Sequence, residues 1–435
     1  MRDDGIATTA MLGLPGFVVL AVSEQAGEVE QAVETTALEG WCPGCGARAR
    51  LHDRRPTWVR DLPAAGRPVT LVWVKRVWRC MESGCATRTW TETTEAIRPR
   101  AAWTERARAE ACRRVGELGH TVGAVAAEFG VGWGTVMAAV REYGRPLVDD
   151  PHRLDAVHTL GVDETAFLAA TPTSGTVFAT GIVALGGRAR LLDVVEGRSG
   201  KALHDWVSAR DQGWRDGIEV AALDPYRGYA TALRTTLPQA TRVLDAFHVV
   251  RLGLDALDQV RRRVQQQTLG HRGHAGDPLF GIRRLLRRGY EHHTEKSWAR
   301  MLAGLEAGDH HQQVGRAWIA AQELRLLYRE PSRDRAERRL LRWFTSIAEH
   351  QIPELVRLAR TLDAWRAELL AYFDTGGISN GPTEAVNGLI KKIKRVGHGY
   401  RNFANYRLRL LLHCGVDWHT PTVTPIRGRL PRLAA

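Results

Sequence analysis

Strand-like and helix-like segments alternate in the middle of this 435-residue chain, and that alternation limits the fold more than any other feature. Three runs rich in β-branched and aliphatic residues, HTLGVDETAF, TVFATGIVAL and ARLLDVVEG, lie between His158 and Gly197. A helix (KALHDWVSARD), a strand (IEVAALD), a second helix, a strand (TRVLDAF) and a long helix follow them, up to Gln267. Consecutive strands followed by alternating helices and strands are typical of an α/β unit, so we predict a mixed sheet packed against helices.

The segments on either side of this region differ from it. The first forty residues resemble strands, with a hairpin formed by MLGLPGFVVLAVSEQ and VEQAVETT, whereas Leu279 to Phe373 resembles a continuous series of helices. A chain of this length is expected to form two to four domains. We predict a β-rich N-terminal domain with a four-cysteine module (1–100), a helix-turn-helix (101–150), the first part of the α/β core (151–278), a helical insertion (279–378), the final core helix (379–418) and a basic tail (419–435).

The composition favours a polyanionic partner. The chain has 61 Lys and Arg residues against 48 Asp and Glu, a net charge of +13, which suits nucleic acid or an anionic membrane surface. An excess of arginine alone is weak evidence, since a GC-rich coding bias would also produce it. The apolar segment Ala10 to Val22 lacks a cationic leader and is interrupted by Pro15 and Gly16, so it predicts neither a signal peptide nor a membrane span. A cytoplasmic location is the expectation.

Four of the six cysteines form two close pairs. Cys42 and Cys45 are spaced C-x2-C, and Cys80 and Cys85, spaced C-x4-C, follow after 34 residues. Four thiolates arranged in this way suit tetrahedral Zn²⁺, although two unrelated pairs in a reducing cytosol would give the same spacing. With four protein ligands no position stays open for chemistry, so the predicted zinc site is structural.

The segment from Thr121 to Tyr143 has the pattern of a helix-turn-helix. A helix (VGAVAAEFG) ends in a glycine turn, and a second helix (WGTVMAAVREYG) follows. Trp133, Thr135 and Arg141 of the second helix are candidates to contact DNA. A plain helical hairpin is the alternative, and the zinc module before this segment favours the DNA-binding interpretation.

Three acidic residues are the candidate catalytic set. Asp163 lies on the first core strand, Asp224 ends the fourth, and Glu384 opens the last helix. If the first and fourth strands are neighbours, the two aspartates converge and a helix packed on the sheet can add the glutamate. Three carboxylates could then hold two divalent ions about 3.5–4 Å apart, the arrangement used for in-line phosphoryl transfer.

Each of these acids also has a structural interpretation. Asp163 could begin a turn at a strand end, and Asp224 could begin one before Pro225. Glu384 could stabilise the dipole of its helix or close a capping box. Their joint occurrence, in this order and on these elements, favours the catalytic interpretation.

A basic cluster follows Glu384 on the same predicted helix. The chain has only six lysines, and three of them lie within four positions here. We predict that this cluster contacts DNA phosphates, although a solvated helix face is the alternative. Its members are Lys391, Lys392, Lys394 and Arg395.

The DAFH segment joins a strand to a helix. Asp245 and His248 could form a helix cap, or they could orient a group of the active site from behind it.

Together these motifs resemble a DDE transposase of bacterial insertion sequences, and the resemblance is closest to the family written ISL-three. The resemblance extends over nearly the whole chain. It includes the opening LGLPG, the CPGC and C-x4-C pairs, the phrase HDRRPTWVRDLP, GVDE, DPYRGYA, DAFHV, and SNGPTEAVNG followed by IKKIKR and YRNF. The SNG-x-TE-x-VNG motif is specific, and the ordered series of motifs is more so.

The resemblance implies an RNase H-like catalytic core in which Asp163, Asp224 and Glu384 are the catalytic acids. It also implies Mg²⁺ as cofactor, as two ions for which Mn²⁺ could substitute, and double-stranded DNA as substrate. A helical insertion between the second and third acids, also implied, accounts for their separation of 160 residues. Asp245 and His248 resemble a paired motif that many such families carry after the fifth strand.

The sequence therefore predicts a transposase that recognises terminal inverted repeats, cleaves one strand at each end and joins the freed 3′-hydroxyl to target DNA. Because two ends must be brought together, a dimer or larger assembly is expected. The alternatives are a non-catalytic DNA-binding regulator with the same architecture and another RNase H-like nuclease. The recognition modules before the core argue against a structure-selective nuclease.

Overall fold

The computed structural model describes residues 3–418, with side chains from Thr8 onward. The predicted basic tail, residues 419–435, lies outside the described residues. The chain forms two compact units: one contains residues 1–153 and 392–435, and the other contains residues 154–391. The first unit contains helices α1 (Asp3–Leu12), α2 (Glu105–Gly116), α3 (Val122–Phe129) and α4 (Trp133–Val148), and strands β1 (Phe17–Gln25), β2 (Glu28–Thr35), β3 (Arg50–Ala64), β4 (Arg67–Arg79) and β5 (Thr89–Thr91).

The strands of the first unit form one mixed sheet in the order β1-β2-β4-β3, with β5 added beside β4. The β2–β4 pair is parallel and the other pairs are antiparallel. One face of this sheet buries Val33, Leu71 and Trp73, and Phe17 meets the Trp73 ring edge-on at 5.6 Å. The β-rich character predicted for this region is therefore confirmed, and β1 and β2 form the predicted hairpin.

The prediction of strands throughout the first forty residues is wrong for residues 3–12, which form α1. Helix α1 ends before Gly13, and Pro15 and Gly16 then turn the chain into β1. Leu12 and Leu14 are buried against the sheet, and the Thr9 hydroxyl accepts the backbone N–H of Val19. The apolar residues that imitate a strand are therefore used to pack a short helix onto β1.

Helices α3 and α4 form the predicted helix-turn-helix, with Gly130 ending the first helix. Their axes differ in direction by 109°, within the range of about 90–120° typical of the motif. No single helix in residues 3–418 has the length and apolar composition to cross a membrane. Only α3 and α4 taken together meet those two criteria, across the sharp bend between them.

The second unit is built on a five-stranded sheet in the order β10-β9-β6-β7-β8. Strand β6 pairs antiparallel with β7 and parallel with β9, β7 pairs antiparallel with β8, and β9 pairs parallel with β10. These are the order and directions of an RNase H-like sheet, and the predicted fold class is confirmed. The strands are β6 (Thr159–Leu168), β7 (Val177–Ala184), β8 (Arg190–Glu196), β9 (Val220–Leu223) and β10 (Thr241–Leu244).

Helices complete this unit, and side-chain oxygens cap several of them. Ser199, Asp211 and Asp245 accept backbone N–H groups at the starts of α5, α6 and α8, as residues at this position commonly do. The helices are α5 (Gly200–Ser208), α6 (Gln212–Asp216), α7 (Arg227–Thr236), α8 (Ala246–Leu269), α9 (Pro278–Ile282), α10 (Glu295–Gly308), α11 (Gln313–Leu327), α12 (Arg333–His350), α13 (Pro353–Ala364), α14 (Arg366–Asp374) and α15 (Gly381–Val396).

The helices from α9 to α14 occupy the place predicted for the helical insertion. One buried cluster runs from the sheet into these helices and includes Leu160, Ile182, Leu223, Leu324 and Trp343. The indole N–H of Trp343 donates to the Ala320 carbonyl oxygen at 2.9 Å. Sheet and insertion therefore share a core.

The chain leaves the second unit within α15. Residues from Lys392 onward belong to the first unit, where α16 (Phe403–Cys414) packs against α2 and α4. The sequence suggested instead that the whole of 379–418 completes the α/β core. The difference arises because the buried face of α16, which includes Leu408, Leu411 and Leu412, matches the helices of the first unit.

Gly161 allows α15 to approach β6 closely. A Cβ atom at this position would overlap Thr383 Oγ1 and lie 2.8 Å from Asn380 Oδ1. We therefore expect Gly161→Ala to destabilise the second unit by about 1–3 kcal/mol, the usual cost of overpacking a filled core. Thermal denaturation followed by circular dichroism measures the change, which should be roughly 2–4 °C per kcal/mol for a unit of this size.

Gly181→Ala is the matched control for this substitution. Gly181 lies on the neighbouring strand β7, where an added Cβ would have its nearest contact at 3.8 Å. Equal melting temperatures for the two alanine variants would contradict the close-approach argument.

Candidate active site and metal centres

Two of the predicted acids lie at the same level of adjacent parallel strands, Asp163 within β6 and Asp224 directly after β9. Val162 of β6 is in register with Leu223 of β9, so Asp163 and Asp224 are the next residues on the two strands. Neighbouring strands lie about 4.8 Å apart, so the two carboxylates emerge side by side. Asp163 is buried and Asp224 is half-buried. The condition under which the two aspartates were expected to converge, that the first and fourth strands are neighbours, is therefore met.

Burial and the neighbouring negative charges raise the pKa of Asp163 to about 7. Burial is the largest cause, and the negative charges of Asp224 and Glu384 act in the same direction, whereas the backbone N–H of Glu164 opposes them. Burial and the charge of Asp224 also raise the pKa of Glu164. Carboxylates that repel one another in this way attract cations.

Helix α15 brings Glu384 and Asn387 towards Asp163. Positions three apart share a helix face, and the Asn387 amide donates to Asp163 Oδ2 at 2.5 Å. Glu384 is half-buried, and its charge acts on Asp163. Helix α15 therefore brings the charge of Glu384 within reach of Asp163, which lies beside Asp224. The three acids do not form a compact metal-binding group. Among the described residues, they are not one of the groups of three whose possible ligand atoms all lie within 4.8 Å of one another.

Asn380 connects the strands to the start of α15. Its side-chain amide donates to the Val162 carbonyl oxygen and to Asp224 Oδ1, both at 3.2 Å. Its backbone N–H donates to Asp245 Oδ1 at 2.9 Å, and the residue is fully buried. The sequence analysis missed Asn380 and Asn387. Both belong to the specific SNG-x-TE-x-VNG motif, which was the available signal.

His248 bridges two aspartates. Its Nδ1 lies 2.9 Å from Asp245 Oδ2, and its Nε2 lies 3.0 Å from Asp224 Oδ2. Asp245 also accepts the His248 backbone N–H as the cap of α8. The predicted helix cap is therefore present at Asp245, and His248 in addition contacts Asp224; that the pair orients a group of the active site stays a prediction.

The two carboxylates hold the imidazole in its charged form. Burial alone would lower the pKa of His248, but the hydrogen bonds and charges of Asp224 and Asp245 raise it to about 10. Burial would raise the pKa of Asp245, but its bonds to His248 and Asn380 lower it. His248 is therefore an imidazolium that donates to both acids at neutral pH.

The core acids keep enough lone pairs to bind a hard cation. An ionised carboxylate offers about four acceptor sites. Asp163 uses two of them, for Glu164 and Asn387, and Asp224 uses two, for Asn380 and His248. About two sites therefore remain on each carboxylate. Oxygen donors of this kind fit Mg²⁺ or Mn²⁺.

The four predicted zinc ligands converge in the first unit. The sulfur atoms of Cys42 and Cys85 are 3.7 Å apart, those of Cys45 and Cys80 are 3.6 Å apart, and all four lie within 4.8 Å of one another. Thiolates bound to zinc at about 2.3 Å in a tetrahedron are about 3.8 Å apart. The cluster therefore has the size of a zinc site with four cysteine ligands.

The predicted DNA contacts on α4 have different surroundings. Trp133 is exposed at the first turn, and Thr135 is half-buried next to it. Arg141 instead donates to the Asn405 side-chain oxygen of α16 at 3.2 and 3.3 Å. The end of α4 whose candidate residues are accessible to solvent is therefore its N-terminus.

The predicted basic cluster lies on the C-terminal half of α15. Lys391, Lys392 and Arg395 are exposed, and Lys394 is half-buried, with its pKa lowered by burial. Lys391 follows Glu384 by seven residues, which is two helical turns, so the two side chains share a face about 10 Å apart along the axis.

An RNase H-like sheet with clustered acids, preceded by a zinc module and a helix-turn-helix, defines a class of DNA-processing enzymes. A family profile described as the ISL3-type DDE "Transposase" matches residues 160–410, more than half of the chain. A second profile, described as the zinc-finger of transposase IS204/IS1001/IS1096/IS1165, matches residues 39–85. The chain therefore belongs to the ISL3 family of insertion-sequence transposases, a family of enzymes that cut and transfer DNA.

Two curated relatives agree with this assignment. The chain is 27% identical over 385 residues to the transposase of insertion sequence element IS1001 of Bordetella parapertussis, which covers 87% of this chain and 89% of that protein. It is 28% identical over 218 residues to the IS1557 transposase of Mycobacterium tuberculosis, which covers 45% and 47%. Among solved structures, the Drosophila P element transposase strand transfer complex covers 72% of this chain and 92% of that one, at 10% identity and a TM-score of 0.38, too distant to support an argument.

The ribbon profile and the four-sulfur geometry together identify a structural zinc site. We expect Cys45→Ser to lose the metal, because three thiolates bind zinc much more weakly than four, and folding of such modules is coupled to metal binding. Elemental analysis should find about one zinc per wild-type chain and close to none in the variant. Cys414→Ala, in α16 and outside the cluster, should keep the wild-type zinc content, and loss of zinc in this control would contradict the assignment.

The imidazolium of His248, which donates a hydrogen bond to each of two aspartates, gives a pH-dependent prediction. Because the folded protein holds the His248 proton more tightly than the unfolded chain, its contribution to stability is complete below pH 6.5 and is lost as the pH rises through about 10. We therefore expect the unfolding free energies of wild type and His248→Gln, measured in urea without added Mg²⁺ and with zinc bound, to converge between these values. A difference that stays constant from pH 6 to pH 10 would contradict the charged state.

Proposed function

We propose that Asp163, Asp224 and Glu384 are the catalytic acids of this transposase and hold two Mg²⁺ ions, with Mn²⁺ as a substitute. The observation that supports this is the approach of three acids, from two adjacent strands and one helix, where burial and the charges of Asp224 and Glu384 together raise the pKa of Asp163. When bound, such ions make an oxygen nucleophile reactive and stabilise the leaving oxygen in phosphoryl transfer.

In this proposal the surrounding polar residues orient the acids. His248 donates to Asp224 from behind, and Asn380 donates to its other oxygen, so the carboxylate has one defined plane. Asn387 does the same for Asp163. A carboxylate fixed in this way needs no reorganisation when charge develops on the reacting phosphate.

The reaction has two steps in this proposal. Water attacks the phosphodiester at each end of the element and frees a 3′-hydroxyl, which then attacks a phosphodiester of the target DNA. The exposed residues Lys391, Lys392 and Arg395 of α15 hold phosphates of the bound strand, about two or more turns from Glu384. Both steps need the same acids, because both break one P–O bond and form another.

Recognition of the ends falls to the first unit. The exposed N-terminal turn of α4, with Trp133 and Thr135, enters the major groove. The zinc ribbon takes part in the same recognition of the ends. Arg141 has its guanidinium on Asn405 and stabilises the packing of α4 on α16. Joining two ends requires two catalytic sites, so the working form is a dimer or larger assembly on double-stranded DNA.

Asp163→Asn, Asp224→Asn and Glu384→Gln test the proposed acids. Each should lower the rate of end cleavage by about a hundredfold to a thousandfold, because losing a group that stabilises charge in the transition state typically costs this much. Binding to DNA with the terminal repeats should stay within a few fold of wild type. Gel assays with end-containing DNA, Mg²⁺ and target plasmid measure cleavage and joining, and mobility shifts measure binding.

Glu196→Gln is the matched control. Glu196 is an exposed acid on β8 of the same sheet, two strands from β6, and should keep wild-type cleavage. Unchanged cleavage in all three acid variants would contradict the proposal, and a wild-type protein that binds ends without cutting them would be a regulator.

A further inference from the structure

A cavity of about 460 Å³ opens on the helical part of the second unit. It lies where the C-terminal half of α8, the loop of residues 271–277 and the segment around α9 meet, a region outside the proposed catalytic site. Six of the side chains that line it are arginines: Arg261, Arg262, Arg272, Arg283, Arg284 and Arg287.

An aromatic ring organises part of this cavity. The guanidinium of Arg283 lies over the Phe280 ring at 3.7 Å, and that of Arg261 lies at 5.9 Å from the same ring. The loop reaches the ring through Gly273, which has a φ of +130° and no room for a side chain, since a Cβ atom would be 2.5 Å from Phe280. The arrangement is therefore packed closely, and the ring faces of Phe280 hold two cations in place.

The buried arginine at the base of the cavity is fixed by its neighbours. Arg261 donates to Asp258 Oδ1 at 2.7 and 2.9 Å and also to the Gln265 side chain. Gln265 donates in turn to Asp277 of the loop at 3.3 Å. This network ties the loop to α8, so the cavity is preformed.

The cavity carries a large excess of positive charge. Asp258 is its single acidic lining residue, and both of its oxygens are used, by Arg261 and Arg262. Arg272 and Arg284 are exposed, and neither side chain has a hydrogen bond or ion pair with any residue from 8 to 418. Arg287 also has a counter-charge, Asp255 of α8, at 3.6 Å. Arg272 and Arg284 have none among the described residues, so they add positive charge whose repulsion an anionic partner would relieve.

We infer that this six-arginine cavity binds phosphate groups of the double-stranded DNA on which the enzyme acts. Planar guanidinium groups match phosphate oxygens in bidentate pairs, and four of the six arginines are exposed at the rim, where a long polyanion can reach them. The inference rests on the proposed function for its ligand, because a DNA-transferring enzyme must hold its substrate on both sides of the reacting bond.

Helix α8 sets the distance between this cavity and the proposed active site. Asp245 caps the start of this helix, and His248 lies in its first turn. Arg262 follows His248 by fourteen residues on the same continuous helix. At 1.5 Å per residue this is about 21 Å. Since each strand of a duplex advances about 3.4 Å along the helix axis per phosphate, the cavity lies on the order of six nucleotides from the reacting phosphodiester. It is therefore placed to hold flanking DNA, and not the bond that is cut.

Arg272→Gln combined with Arg284→Gln tests the inference without disturbing the fold, since neither side chain has a partner in the described residues. Dissociation constants for fluorescent DNA duplexes are measured without added Mg²⁺, which prevents cleavage and keeps the zinc site intact, over a range of salt concentrations. We expect affinity to fall about tenfold and the slope of log K against log salt to become shallower by about 2, one unit for each lost phosphate contact. Scrambled duplexes should lose as much as end-bearing ones, because phosphate contacts carry no sequence information.

Arg335→Gln combined with Arg338→Gln is the matched control, since both are exposed arginines of α12 in the same unit and neither lines the cavity. Separate duplexes carrying the element end and the target distinguish the source: a loss confined to one of them assigns the cavity to that DNA. Wild-type affinity and salt slope for both duplexes in the Arg272/Arg284 variant, or an equal loss in the control, would overturn the inference.

This experiment is independent of catalysis. If the wild-type protein binds DNA but never cuts it, the proposed chemistry fails while the binding slopes still decide the role of the arginines. If it cuts DNA and the arginine variant binds like wild type, only the arginine inference fails.

Discussion

The fully buried amide of Asn380 connects the parts of the candidate site that are most distant in sequence. It donates to β6 through the Val162 carbonyl oxygen and to the acid that follows β9, while its backbone N–H donates to the cap of α8. Hydrogen bonds to charged groups contribute about 1.5–3 kcal/mol each, and unsatisfied buried partners cost about as much. The start of α8, which leads into the helical insertion, and Asn380, which follows it, are therefore fixed at one point of the sheet. Because closing a longer loop costs little additional entropy, a helical insertion of this size can be accommodated between these two ends without displacing Glu384.

The second constraint is electrostatic. Burial and the charges of Asp224 and Glu384 raise the pKa of Asp163, and the imidazolium of His248 offsets part of this negative charge from behind Asp224. A cation at this position stabilises the fold without occupying the open side of the carboxylates. An arginine there could form a bidentate pair with a carboxylate and use the oxygens that a metal ion needs. The single compact ring, held on both nitrogens, leaves acceptor sites on Asp224 and keeps its orientation fixed.

Much of this architecture could be predicted from sequence because it depends on local patterns. Strand-like runs predicted the sheet, and cysteine spacing predicted the zinc module. The acids on two strands and at the start of a helix predicted the candidate site. Asn380 could not be recognised in the same way, because an Asn-Gly pair predicts an exposed turn, and only the packing of α15 on β6 makes it a buried donor. Arg141 faces α16, which lies more than 250 residues later, and no local pattern reports such a contact. The helix α1 was missed because its apolar residues have no clear period and favour a strand as much as a helix.

The distribution of the two kinds of basic residue follows from the same chemistry. The chain has 55 arginines and six lysines, yet the cations nearest in sequence after Glu384 are Lys391 and Lys392. A lysine ammonium is a compact, strongly hydrated charge that attracts phosphate without a fixed geometry, whereas a guanidinium competes for carboxylates as well as phosphates. Close to a cluster of acids, lysines can attract the DNA strand with less risk of closing the site on itself. Farther along α8, where Asp258 is the only acid that lines the cavity, arginines can pair with phosphates bidentately. The proposed contacts near the reaction are thus the less directional ones, and those about six nucleotides away can fix the path of the DNA.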